Sequence, residues 1–222
     1  MQRHFHEELK ELRQQVLKMG FLVEEAIGKA IDALLNRDSR LPNEIFDGEK
    51  TINRLEIEID DKGHSLFALS QPMAVDLRHI TAILKINTDL ERMGDHAVNI
   101  AQRSIFLVKE PPLTHHVQLP EMAKATQKML RDTLDAFIGE DIALATSVLQ
   151  TDDVVDTYNV DLYSRVCQLM EKDPHLVKTG MNLVMVGHNL ERIADLATNI
   201  AEDILYMKQG KEVRHRIEEQ KK

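Results

Sequence analysis

The sequence predicts an all-α fold: two tandem antiparallel three-helix bundles, six long helices in all, related by internal duplication. Three observations carry this. Gly and Pro together make up only 15 of 222 residues, so turns are scarce. Apolar residues recur at spacings of three and four along most of the chain. The second half repeats the first at an offset of about 100 positions.

The first helix carries Phe5, Leu9, Leu12, Val16, Met19, Val23, Ala26, Ala30 and Ala33 at alternating steps of four and three. That is the seam of a helix packed in a bundle. Asn36-Arg-Asp-Ser39 ends it. A second helix carries Ile45, Ile52, Ile59 and Leu66 at period seven and ends near Gln71-Pro72, because Pro disfavours helix in the residue before it. A third carries Ile83, Ile86, Leu90, Met93, Ala97 and Ile100 and runs to about Val108. The first bundle is thus expected over residues 1–110.

Three prolines between Lys109 and Pro120 predict a linker over 111–120. The second bundle is expected over 121–208, followed by a charged tail at 209–222. Its first helix is placed near 121–138. Its second carries Val148, Val155, Leu162 and Leu169, 103 positions after Ile45, Ile52, Ile59 and Leu66. Asp173-Pro174 interrupts the chain as Gln71-Pro72 did. Its third carries Leu183, Val186, Leu190, Ile193, Ala197 and Ile200, each 100 positions after its counterpart. Leu90-Glu-Arg-Met-Gly-Asp-His-Ala-Val-Asn-Ile-Ala-Gln102 matches residues 190–202 at eight of thirteen positions, several of them polar. Shared heptads alone would not repeat polar residues. Whether the two bundles abut is open at this stage. The ten methionines offer either junction faces or ordinary core filler.

Composition excludes several function classes. The net charge of −9 argues against a nucleic-acid partner, whose electrostatic footprint is basic. No apolar run approaches the ~18 residues of a membrane span, and the polar start Met1-Gln-Arg-His-Phe-His lacks a signal-peptide core. The lone Cys167 suits a reducing compartment and a small buried role. The expectation is a soluble, cytoplasmic protein without direct membrane insertion. No P-loop, GxSxG, HExxH or Cys–His pairing is present.

The acidic residues have a pattern. Glu91 and Asp95 lie four apart on one helix face, with Asn99 a turn further; Glu191, Asp195 and Asn199 repeat the row. Like charges at this spacing destabilise a helix by a few tenths of a kcal/mol, yet the pair occurs in both repeats. The second helix of each bundle adds Glu49 and Asn53, then Asp152 and Asp156 at the 103-position offset. If helices two and three pack side by side, four oxygen-bearing side chains converge per bundle. Such sets suit hard or borderline divalent or trivalent ions, with Mg, Mn, Fe and Zn not distinguished.

The ordinary alternative is a solvated polar face opposite an apolar seam, and Arg92 and Arg192 offer neutralisation without any metal. His188, three before Glu191, is a candidate donor to that carboxylate. His96, whose counterpart is Leu196, reads as an incidental polar or partly buried residue. His115 and His116 are expected in an exposed linker. Asp76-Leu-Arg-His79 reads as a helix N-terminal charge pattern. The Glu-x-x-His motif of di-iron bundles is absent from Glu91 and Glu191.

With both repeats in view, the chain resembles the PhoU family of bacterial phosphate-transport accessory and signalling regulators. The resemblance rests on Gly48-Glu-Lys-Thr-Ile-Asn-Arg-Leu-Glu-Ile-Glu-Ile-Asp60, Gln71-Pro72 with Asp76-Leu-Arg78, the two Leu-Glu-Arg-x-x-Asp segments, and Gly210-Lys-Glu-Val-Arg-His215. It implies metal ions bound by Glu/Asp-xxx-Asp motifs, here Glu91, Asp95, Glu191 and Asp195, with helix-two partners Glu49, Asn53, Asp152 and Asp156. Two departures stand out: Glu49 replaces the Asp frequent in the family, and Asn159 occupies the position equivalent to Glu56.

The resemblance also implies a non-catalytic adaptor between the ATPase subunit of a phosphate ABC transporter and a membrane sensor histidine kinase, repressing starvation genes when phosphate is ample. Homodimers are compatible with such bundles. The alternatives are regulation of a low-affinity phosphate permease, a carboxylate-bridged metalloenzyme, and a metal-free helical scaffold.

Overall fold

A computed structural model describes residues 2–70, 72–113 and 117–210. Six long helices follow one another: α1 (Gln2–Leu35), α2 (Leu41–Ser70), α3 (Ala74–Leu107), α4 (Leu119–Gly139), α5 (Ile142–Lys172) and α6 (Val177–Gln209). A short 3₁₀ turn, Pro174–Leu176, precedes α6. No strand occurs among the described residues. The seam positions of α1 are buried where the 3/4 spacing put them, except Leu9, which is partly buried; Leu12, Val16, Met19 and Val23 are fully enclosed.

Helices α1, α2 and α3 pack on one another, as do α4, α5 and α6. The most extensive contact lies between the repeats, along α3 and α6, and α1 also packs on α4. One continuous apolar core therefore runs through both bundles. Met19, Met93, Met122, Met129 and Met207 are buried within it, so methionine mainly fills the core. Cys167 is half-buried rather than enclosed.

Helix ends account for the connections. Pro120 sits in the first turn of α4, where its missing N–H is no loss. That helix therefore begins at Leu119, two residues earlier than the proline pattern suggests. The α1–α2 and α4–α5 turns use the same device. Arg37 and Glu140, 103 positions apart, both adopt the left-handed conformation with φ of 56° and 48°. Arg37 then donates to the carbonyls of Val108 and Glu110, capping the end of α3. Glu140 accepts from Arg13 of α1 at 2.6 Å and Lys208 of α6 at 2.7 Å. Asp141 caps α5 by accepting from the N–H groups of Ala143 and Leu144. His115, His116 and the charged tail beyond Gly210 lie outside the described residues.

Contacts between α3 and α6 run antiparallel. His96 meets Asn189, Lys85 meets Asp203, and Lys178 lies over the Phe106 ring. Antiparallel pairing of two equivalent helices relates the repeats by an approximate two-fold axis. Because α1 and α4 also touch, that axis passes between them and between α3 and α6. Helices α2 and α5 are therefore outermost.

Candidate metal centres in the two acidic grooves

The groove between α2 and α3 holds the first acidic row. The two helices run antiparallel, with Asn87 of α3 donating to the Glu56 carbonyl at 3.0 Å and to Asp60 Oδ1 at 2.9 Å. One turn further along α3, Glu91 is half-buried. Its carboxyl is pushed up by burial, then by Asp95, Glu56 and Glu49, while Arg92 pulls it down. Glu49 and Asp95 thus lie within electrostatic reach of Glu91. Asn53, one turn from Glu49, is exposed. Glu56 is pushed up by burial and by Asp60.

The groove between α5 and α6 holds the second row, and it is the more strained. Asp152 is raised from 3.8 to about 6, first by burial, then by Asp156, Asp195, Asp153 and Glu191. Glu191 is raised by burial, Asp195 and Asp156, against lowering by His188 and Arg192. Oxygens Asp152 Oδ1 and Glu191 Oε2 are buried without a hydrogen bond. His188 Nδ1 approaches Glu191 Oε2 at 3.3 Å, close enough for attraction but not aligned as a hydrogen bond. All four residues read from the sequence, Asp152, Asp156, Glu191 and Asp195, therefore share this groove.

Arg192 binds Asp195 at 2.5 Å and so offsets part of the second row. Asp152 and Glu191 are half-buried, whereas Asn53, Asp95 and Asp156 are exposed. Among the described residues, however, no three His, Cys, Asp or Glu side chains are set in ligand geometry around one point. The donor chemistry, all oxygen and crowded with like charge, fits a hard cation. The two orphaned buried oxygens of the second groove fit one as well.

His96 is partly buried, as expected, and it also ties the two repeats together. Its Nδ1 lies 2.8 Å from Asn189 Oδ1 across the α3–α6 contact, and burial holds its pKa below the usual value. Asn189 in turn donates to the Met185 carbonyl at 2.6 Å. Periodicity could not reveal this tie, because its two members occupy non-equivalent positions of the repeats.

Both grooves are built from the duplicated unit, and a family model for the PhoU domain matches twice, at residues 16–104 and 119–204. The chain belongs to the PhoU family. It is 41% identical over 208 residues to the phosphate-specific transport system accessory protein PhoU homolog of Aquifex aeolicus, covering 94% of both chains. It is 34% identical over 213 residues to the accessory protein PhoU of Escherichia coli, covering 95% of this chain and 88% of that one. The crystal structure of PhoU from Pseudomonas aeruginosa superposes with a TM-score of 0.90 at 36% identity, covering 93% of this chain and all of that one. The regulatory protein PhoU from Streptococcus pneumoniae gives 0.87 at 34% identity, covering 94% and 99%. The PhoU fold thus extends through both bundles. No described helix is long and apolar enough to cross a membrane.

Proposed function

We propose that this PhoU-family chain is an accessory protein of phosphate-specific transport. It acts in the cytoplasm as a non-catalytic regulator between the transporter's ATPase subunit and a sensor histidine kinase. The observation that carries the reading is family membership across both repeats, with relatives named as transport accessory proteins along nearly the whole of both chains. The form of the molecule supports it. A shared core holds two bundles as one body with long helix faces, and an adaptor needs faces rather than a nucleophile.

In this reading the acidic grooves take up divalent or trivalent cations. Asp152, Asp156, Glu191 and Asp195 hold one group; Glu49, Asn53, Glu91 and Asp95 contribute to the other. A bound ion would supply charge neutralisation and a tie between α2 and α3, or between α5 and α6.

The test is co-purification of the tagged protein from membranes of cells grown in ample phosphate. Recovery of the phosphate transporter's ATPase subunit or the sensor kinase supports the reading. Recovery of a low-affinity permease instead moves the protein to that system. Recovery of none of these, with phosphate-responsive expression unchanged on gene deletion, refutes it.

A further inference from the structure

The α5–α6 groove continues beyond its acidic half. At about 100° per residue, Asp152, Asp156, Tyr163 and Cys167 fall within about 60° of one face of α5. On α6, Val177, Met181, His188 and Asp195 fall within about 40°. The helices close on each other at two glycines. A Cβ at Gly180 would lie 2.7 Å from Met170 Sδ, and one at Gly187 would lie 2.3 Å from Leu162 Cδ2. In this register Tyr163 and Cys167 stand opposite the first half of α6. There the walls are apolar and open to water: Tyr163 is 59% exposed, Met181 51% and Val177 46%, with Met185 at 36% extending the patch towards α3. The first repeat lacks this feature. Tyr163, Cys167, Met181 and Met185 correspond to Asp60, His64, Thr81 and Lys85. Two of these are already engaged, Asp60 by Asn87 and Lys85 by Asp203.

We propose that this groove docks an amphipathic basic helix of a partner protein. Its apolar side chains cover Tyr163, Met181 and Met185, and its Lys or Arg residues lie over Asp152, Asp156 and Asp195. The proposal rests on the adaptor reading and gives that adaptor one docking face. Exposed apolar side chains rimmed by polar ones mark interaction sites, and methionine repacks readily against a partner. Charge selects the occupant. Asp152, Asp156, Glu191 and Asp195 face Arg192, which binds Asp195, so this half of the groove is net negative. The same carboxylates would repel an anionic lipid surface. Val177 to Asp195 spans about 27 Å at 1.5 Å per residue, the length of a five-turn helix. Apolar anchors at one end and basic residues at the other fix the direction in which that helix lies.

The probe is a fluorescent peptide of roughly 18 residues, with Leu at i, i+3, i+4 and i+7 in one half and Lys in the other. It is titrated with the full chain in EDTA, so that no cation occupies the acidic half, and followed by anisotropy. Met181→Glu with Met185→Glu weakens binding about tenfold or more, although the added negative charge alone would strengthen attraction to Lys. Unchanged or tighter binding overturns the proposal. Met181→Leu with Met185→Leu retains binding, and helical content identifies any variant that has failed to fold. Thr81→Glu, at the equivalent place in the first repeat, changes binding by less than about twofold; a loss equal to that of the methionine variant overturns the proposal. A peptide with Glu in place of Lys binds at least tenfold more weakly, and equal binding removes the charge argument. No binding by the unaltered chain also overturns it, and sedimentation with phosphatidylglycerol vesicles that is lost in the methionine variant would reassign the face to a membrane. Membrane co-purification separates this proposal from the reading beneath it. Equal recovery of the ATPase subunit or kinase by wild type and Met181→Glu/Met185→Glu overturns the docking face alone. Recovery by neither refutes the adaptor reading, while the peptide titration still decides the groove.

Discussion

Asp152→Asn should stabilise the metal-free protein at neutral pH, although it alters a residue read as a ligand. In the fold Asp152 is raised from 3.8 to about 6, chiefly by burial and then by Asp156, Asp195, Asp153 and Glu191. A group whose pKa rises on folding favours the fold when protonated. The benefit is complete below the unfolded value near 4 and is lost as pH climbs through 6. At pH 7.5 the ionised carboxylate therefore opposes folding. The full rise corresponds to ~3 kcal/mol. Asp152 keeps part of its surface in water, which screens the effect to about 1–2 kcal/mol.

At about 2–4 °C per kcal/mol for a chain of this size, the melting temperature of Asp152→Asn in EDTA at pH 7.5 should rise by about 2–8 °C. The gain should shrink through pH 6 and be absent at pH 4. With Mn²⁺ present the sign reverses, because the unaltered groove gains a bound ion that the variant holds less well. A variant no more stable than wild type in EDTA at pH 7.5, or equally stabilised at pH 4, would refute the electrostatic argument. Stabilisation that persists in saturating Mn²⁺ would count against the groove as a metal site.

Three further outcomes follow from the packing. Glu140→Gln removes a carboxylate held below its usual range by Lys208 and Arg13; urea unfolding at pH 7 should show a loss of about 1–2 kcal/mol. That loss should disappear as pH falls below 4, because a depressed acid stabilises only while ionised in the fold. Gly187→Ala places a Cβ 2.3 Å from Leu162 Cδ2 and 3.1 Å from Asn159 Oδ1, and the same assay should register a loss of about 1–3 kcal/mol. Gly48→Ala meets nothing within 4 Å in the middle of exposed α2, so it should stabilise by about 0.5–1 kcal/mol; a loss there would contradict the helix assignment.

The helices and the duplication were legible because both are written as periodicities. Burial of Leu12, Val16, Met19 and Val23 follows directly from their spacing. The second acidic groove was legible for the same reason, since Asp152, Asp156, Glu191 and Asp195 recur at fixed offsets from the first set. The contact between bundles was not. Hydrophobic spacing carries no label for the partner, so it does not say which helix a given apolar position meets.

The approximate two-fold arrangement has an electrostatic consequence. Helices α1 and α4 lie together behind α3 and α6. The α2–α3 and α5–α6 grooves consequently open on the same side of the molecule, the side opposite α1 and α4. Along the α3–α6 contact, the two repeats are tied by His96 with Asn189 and by Lys85 with Asp203. These ties leave the outer rows to balance their own charge. Cations entering the proposed sites would therefore act on one face, discharging two parallel acidic strips while the core behind them keeps its packing. Long-range attraction between proteins depends on such strips more than on buried contacts.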